Sequence, residues 1–170
     1  MIYCELRSDK DILYDLEDAK SVFLIGCPAC ANMSLYIQKP TEGSAMMTLT
    51  PMGFRAVYVE EEVNRLAHLL ADKELDVDSW VVKYPTVALC ILDERTRNKI
   101  SKKGRDFDTV ITVCCDAGTK SVGNILTGKR VIPAMKAGGI ATAKSMRTMG
   151  FAKFYIDRSS VDIMRFTFDT

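Results

Sequence analysis

Cys27-Pro28-Ala29-Cys30 places two thiols one helical turn apart, where the apolar run Val22-Phe23-Leu24-Ile25 and Gly26 give way to a helix. Thiols at that spacing do one of two things. As thiolates they ligate a soft metal, or as a pair they exchange electrons through a disulfide. Three more cysteines follow apolar runs: Cys90 after Thr86-Val87-Ala88-Leu89, and Cys114 and Cys115 after Val110-Ile111-Thr112-Val113. Five of the six cysteines thus stand at or just beyond the carboxyl ends of expected strands. In an open parallel sheet that edge is where ligand sites form. Four thiolates drawn from Cys27, Cys30, Cys90 and one of Cys114 and Cys115 suit tetrahedral Zn²⁺ or a [4Fe-4S] cluster. Zinc-ribbon and ferredoxin spacings are both absent, so the fold would have to assemble such a site.

Two other readings stand beside the metal centre. Cys27 and Cys30 could form a thiol–disulfide redox pair of the kind that follows a strand and opens a helix. Alternatively, the cysteines are buried apolar residues at strand ends, which is how Cys4, in the extended lead Ile2 to Leu6, is read. Serine at Cys27 or Cys30 is therefore expected to lose metal and stability together, and serine at Cys4 to do neither. His68, the only histidine, lies beside an apolar helical stripe without a partner, as a structural or surface residue. Asp116-Ala117-Gly118-Thr119 and Gly138-Gly139 form neither a dinucleotide fingerprint nor a P-loop and read as tight turns. No Ser/His/Asp set or H-E-x-x-H occurs, so nothing points to a hydrolase and the chain reads as non-catalytic.

The elements that position these residues alternate. A strand over 2–6 and a helix over 9–16 lead into strand 21–26 and a helix over 28–38. The stretch Thr41 to Gly53 reads as a loop, a lid or docking surface whose deletion would abolish partner association. A strand over 54–59 opens an acidic helix carrying Val63, Leu66, Ala67 and Leu70. Leu75 to Pro85 is a connection, and strand 86–90 leads to a helix over 93–102. Strand 108–113, a helix over 119–127 capped by Asp116 or Thr119, strand 131–133, a helix over 140–148 and strand 151–156 complete the chain. This alternation predicts an α/β fold over residues 1–170: a doubly wound, mostly parallel sheet, Rossmann-like or flavodoxin-like, in a single domain.

Composition is that of an ordinary globular protein, 48% apolar and 26% charged, with a net charge of +1. That balance gives no footprint for nucleic acid. No apolar run approaches the ~20 residues that span a bilayer. The charged N-terminal segment lacks a signal-peptide core, so a cytoplasmic location is expected, where clustered thiols stay reduced.

The ordered set of segments resembles the small cysteine-rich accessory subunit of methylenetetrahydrofolate reductase in anaerobic one-carbon pathways, also called the C-terminal-type methylenetetrahydrofolate reductase domain. The matching segments are Leu24 to Cys30, Cys90 to Arg95, Asp108 to Gly118, and Lys129 to Pro133, covering roughly residues 20–140. The resemblance implies a metal centre held by Cys27, Cys30, Cys90 and Cys114 or Cys115. It also implies a flavin-bearing methylenetetrahydrofolate reductase catalytic subunit as partner, to which this chain supports electron delivery. Many members continue into a cysteine-rich tail; here no cysteine follows Cys115, which implies at most one centre. A scaffold with structural zinc, or a helper in corrinoid-linked methyl transfer, fits that departure too.

Overall fold

The structure is a computed structural model that describes residues 1–39, 45–51, 53–83, 86, 88–144, 146–149 and 153–167. Its elements in chain order begin with β1 (Ile2–Leu6), α1 (Asp9–Tyr14), β2 (Ser21–Gly26), α2 (Cys30–Gln38), β3 (Met47–Thr50) and β4 (Gly53–Ala56). Next come α3 (Val57–Ala71), β5 (Asp76–Val81), α4 (Glu94–Gly104), β6 (Thr109–Val113) and α5 (Asp116–Ile125). The chain continues through β7 (Arg130–Pro133), β8 (Met135–Ala143), β9 (Met146–Met149), β10 (Lys153–Ile156) and β11 (Val161–Arg165).

β2 and β6 form the centre of a four-stranded parallel sheet of order β5-β2-β6-β7. Every residue of β6, and every residue of β2 after Ser21, is buried. That is why both read as unbroken apolar runs. Gly26 and Phe23 point to opposite faces of β2. A Cβ on Gly26 would come within 2.9 Å of Val63 in α3. On the other face Lys103 of α4 lies 6.0 Å from the Phe23 ring. Helices therefore flank both faces.

From β2 the chain moves outward to β5, then crosses back over β2 to reach β6. Successive connections thus leave in opposite directions on either side of the β2/β6 pair, which opens a crevice at the carboxyl ends of those two strands. Register brings Gly26 opposite Val113, so Cys27 and Cys114 emerge side by side. Among the described residues no helix is long and apolar enough to cross a membrane.

The expected doubly wound, mostly parallel sheet is only partly present. Among the described residues seven strands lie outside the parallel sheet, in antiparallel sheets of order β1-β8-β11 and β4-β3-β10-β9, so this is mixed α/β rather than a clean doubly wound Rossmann arrangement. The largest departure is residues 140–148, expected as a helix. Ala141 and Ala143 favour one locally, yet the residues up to Ala143 are strand because β8 is paired on both edges, with β1 and β11; residues 146–148 belong to β9, and Ser145 lies outside the described residues. Gly139 is no turn either. A Cβ there would sit 2.3 Å from the Met164 carbonyl oxygen, so glycine permits close approach of two backbones. Gly139→Ala is expected to destabilise the protein by about 1–3 kcal/mol through overpacking, read as a lower urea midpoint.

Shorter departures have local causes. The strand expected over 54–59 stops at Ala56 because α3 is capped from outside: Asn32 Oδ1 accepts the Val59 N–H at 3.1 Å. The connection expected over 75–85 contains β5 instead. Its neighbour 86–90, expected as a strand, carries a tight turn in which the Ile91 N–H bonds the Ala88 carbonyl at 3.3 Å; Val87 lies outside the described residues. In the expected 41–53 loop, residues 41–44 and 52 lie outside the described residues, and Met47–Thr50 forms β3. Helix α5 begins at Asp116, with Cys115 itself as N-cap residue rather than Asp116 or Thr119.

Candidate metal centre

Cys27 continues β2 by one residue, its N–H donating to the Val113 carbonyl at 3.0 Å. The side chain is buried, and the Leu89 N–H donates to its sulfur at 3.5 Å. Burial pushes this thiol up to about 11, aided by Cys115 and Cys90 nearby and opposed by the Leu89 and Ala29 amides.

Cys30 is the first residue of α2 and is half-buried. Its side chain faces that of Cys115, which comes from the start of α5. Of the two, Cys115 ionises the more readily, for a local reason. Besides Cys30, the main-chain amides of Gly118 and Ala117 point at its sulfur, and the positive end of α5 adds to them. The Cys115 thiol is therefore driven down towards the thiolate, and Cys30 is driven up. The turn at Asp116-Ala117-Gly118 thus presents its amides to a sulfur of its own chain.

Cys114 and Cys115 diverge, as neighbours on an extended backbone must. Cys114 is fully buried and turned toward α5, 3.4 Å from Thr119 Oγ1. A Cβ at Gly118 would stand 2.9 Å from its sulfur, so glycine makes room for it. Burial raises this thiol too. Cys90 is exposed, in the turn beside exposed Ile91, and reaches the group only as a neighbour of Cys27. It does not end a strand.

Cys4, read from sequence as a buried hydrophobe, is fully buried but among other sulfurs. Burial pushes it up to about 12, with Cys115, Asp116 and Cys27 adding to the effect. Nothing in its spacing announces this, because β1 reaches the crevice through long-range pairing with β8 and packing on α2. His68 is exposed on α3. The structure thus brings Cys27, Cys30, Cys114 and Cys115 together, adds Cys4, and leaves Cys90 at the rim.

As placed, each sulfur faces its own hydrogen-bond partner, and among the described residues no three Cys, His, Asp or Glu side chains form a group able to hold a metal ion. The donor set nevertheless fits a soft cation chemically. Several buried thiols crowd one crevice, and no lysine or arginine figures among the leading influences on any of them. Two helix amino termini face the group, and a metal would supply the remaining positive charge that lets the thiols ionise. No protein-family model, curated protein or solved structure matches this chain.

Proposed function

We propose that this chain holds one cysteine-ligated metal centre, zinc or [4Fe-4S], at the β2/β6 crevice. It serves as a non-catalytic accessory subunit of a methylenetetrahydrofolate reductase-type complex in the cytoplasm, delivering electrons to a flavin-bearing catalytic subunit. The observation that carries the metal reading is the convergence of sulfurs from two strand-to-helix junctions, Cys27 and Cys30 from one and Cys114 and Cys115 from the other. The order β5-β2-β6-β7 corresponds to the 2-1-3-4 order of a flavodoxin-like sheet, whose ligands sit at this switch point. We take the chain as one domain built around it. Cys27, Cys30 and Cys115 would be ligands. Bound there, iron–sulfur would supply one-electron transfer, and zinc a structural or Lewis-acid centre. The assignment to one-carbon metabolism rests on the resemblance of the cysteine segments.

The test is metal and acid-labile sulfide content of protein purified without oxygen. Iron with sulfide supports the electron carrier. Zinc at about one per chain supports the centre but points to a structural scaffold. Neither metal overturns the proposal in favour of a thiol–disulfide protein. One observation favours that second reading: Cys30 faces Cys115 and each shifts the other's proton affinity, which makes these two, rather than Cys27 and Cys30, the pair that would exchange. In that chemistry the Cys115 thiolate attacks a partner disulfide and displaces one partner thiolate. Cys30, on losing its proton, then displaces the other, leaving a Cys30–Cys115 disulfide and a reduced partner.

A further inference from the structure

We propose that the cavity between α2 and the end of β8 binds an unbranched aliphatic carboxylate of medium chain length, its chain inside and its carboxylate on Arg158 at the mouth. This site is separate from the metal centre and does not depend on it. The cavity has a volume of about 350 Å³. Small-molecule sites span ~300–1,000 Å³, so it suits a slender ligand. Ala141 and Ile156 are buried beneath it. Met33 and Ile37, one helical turn apart on α2, form one wall, and Met1 lines it too. Ala141 and Ala143 point to the same face of β8 and present only methyl groups, which leaves room against α2 that a row of methylenes fills. Methionine side chains adapt their shape to such a chain.

The mouth carries the charge. Arg158 lies two residues beyond Ile156, in the single helical turn Arg158–Ser160. Its Nε donates to the Tyr36 carbonyl at 3.1 Å, next to Ile37, and its guanidinium lies 4.0 Å from the centre of the Tyr36 ring. Another of its N–H groups donates to the Tyr58 hydroxyl at 3.4 Å. The Tyr36 hydroxyl in turn donates to the Ile156 carbonyl at 3.1 Å, which fixes this corner against the cavity. On the far side the Lys144 N–H donates to Ser160 Oγ at 3.2 Å and holds the turn beside Ala143. Every partner of Arg158 is therefore neutral, and among the described residues no carboxylate pairs with it. Half-buried Arg7, by contrast, has Asp15 at 2.7 Å. The neighbouring carboxylate of Asp157 takes the Ser159 N–H and hydroxyl on Oδ1. Asp162 is registered with Thr142, on the face of β8 away from Ala141 and Ala143. Exposed Lys144 adds a second positive charge at the rim. A half-buried guanidinium held in place by neutral groups at the mouth of an apolar cavity matches a carboxylate on an aliphatic chain.

Isothermal titration of the full chain with octanoate, butanoate and octylammonium tests this. Octanoate should bind on the order of 100-fold more tightly than butanoate, which is four methylenes shorter. It should also bind at least ~10-fold more tightly than octylammonium, which has the same chain and the opposite charge. Ala143→Phe, a change at the exposed rim, should weaken octanoate at least ~10-fold by filling the cavity. Arg158→Gln should erase the preference over octylammonium and keep the dependence on chain length. Octanoate that binds no more tightly than butanoate would overturn the proposal, as would full octanoate affinity in Ala143→Phe. Equal affinities of the wild type for octanoate and octylammonium would overturn it even where Arg158→Gln fails to fold. The titrations run with zinc or with a chelator, so a failure here is distinct from a failure of the metal centre.

Discussion

Cys115→Ser is expected to abolish metal retention and, with it, most of the difference in stability between loaded and metal-free protein. Cys115 stands where the other sulfurs meet: it faces Cys30, and it raises the proton affinities of Cys4, Cys27 and Cys114. It also has the strongest local reason to ionise, with two amides and a helix terminus at its sulfur. Serine keeps the size and the amide contacts but removes the soft donor. Affinity should fall by at least ~100-fold, beyond what losing a supporting contact costs. Metal at 1,000 times its dissociation constant stabilises a fold by about 4 kcal/mol; a 100-fold weaker site keeps about 1.4 of that, so the variant forfeits at least about 2.7 kcal/mol. The metal-free forms should differ by about 1–2 kcal/mol, because Cys115 is buried in the core and serine places a hydroxyl there in place of the thiol. Thermal melts of both forms with and without zinc read this directly. A variant that still gains the full wild-type stabilisation from zinc would remove Cys115 from the ligand set. The same substitution at Cys90 serves as the comparison, and its exposure predicts almost no change in the metal-free fold.

How far the sequence carried the site depends on which contacts are local. Cys27 and Cys30, and Cys114 and Cys115, are legible because each pair adjoins its own buried strand and its own helix. Apolar runs with β-branched residues announce such strands, and β2 and β6 lie where those runs stand. Cys90 misleads for the same reason. Thr86 to Leu89 has the composition of a strand, but the place beside β2 is taken by β5, whose aspartates at 76 and 78 mask its pattern. Edge strands tolerate such charges. Cys4 was illegible as a site residue because its position depends on pairing between residues more than 130 apart in sequence and on one skipped residue at Gly138. The antiparallel half of the fold was missed likewise: glycines that let β8 approach β11 look, in sequence, like the turn before a helix.

Loaded and metal-free protein should respond to pH in different ways, and the sign follows from where the protons reside. In the metal-free fold burial raises Cys27 from 9.0 to about 11. A group raised on folding contributes stability that is complete below its unfolded value and is lost as pH climbs through the folded one. Cys27 alone therefore withdraws on the order of 2–3 kcal/mol between about pH 9 and 11, and Cys4, Cys30 and Cys114 act in the same direction. Cys115 is the opposite case, being depressed on folding: its contribution is present above about pH 9 and fades as pH falls through its folded value. The metal-free protein should accordingly climb by a single proton's worth to a maximum near pH 9 and then decline. In the loaded protein the three thiols assigned to the metal are deprotonated in the fold and protonated in the unfolded chain. Stability must then rise with pH up to about 9 at a slope near three times that of the metal-free form, about 1.4 kcal/mol per pH unit for each thiolate. Urea midpoints at pH 6.5, 7.5 and 8.5, with zinc and with a chelator, measure both slopes. Equal slopes would mean that any bound zinc sits away from the cysteines. A ratio near two rather than three would exclude one of the three sulfurs.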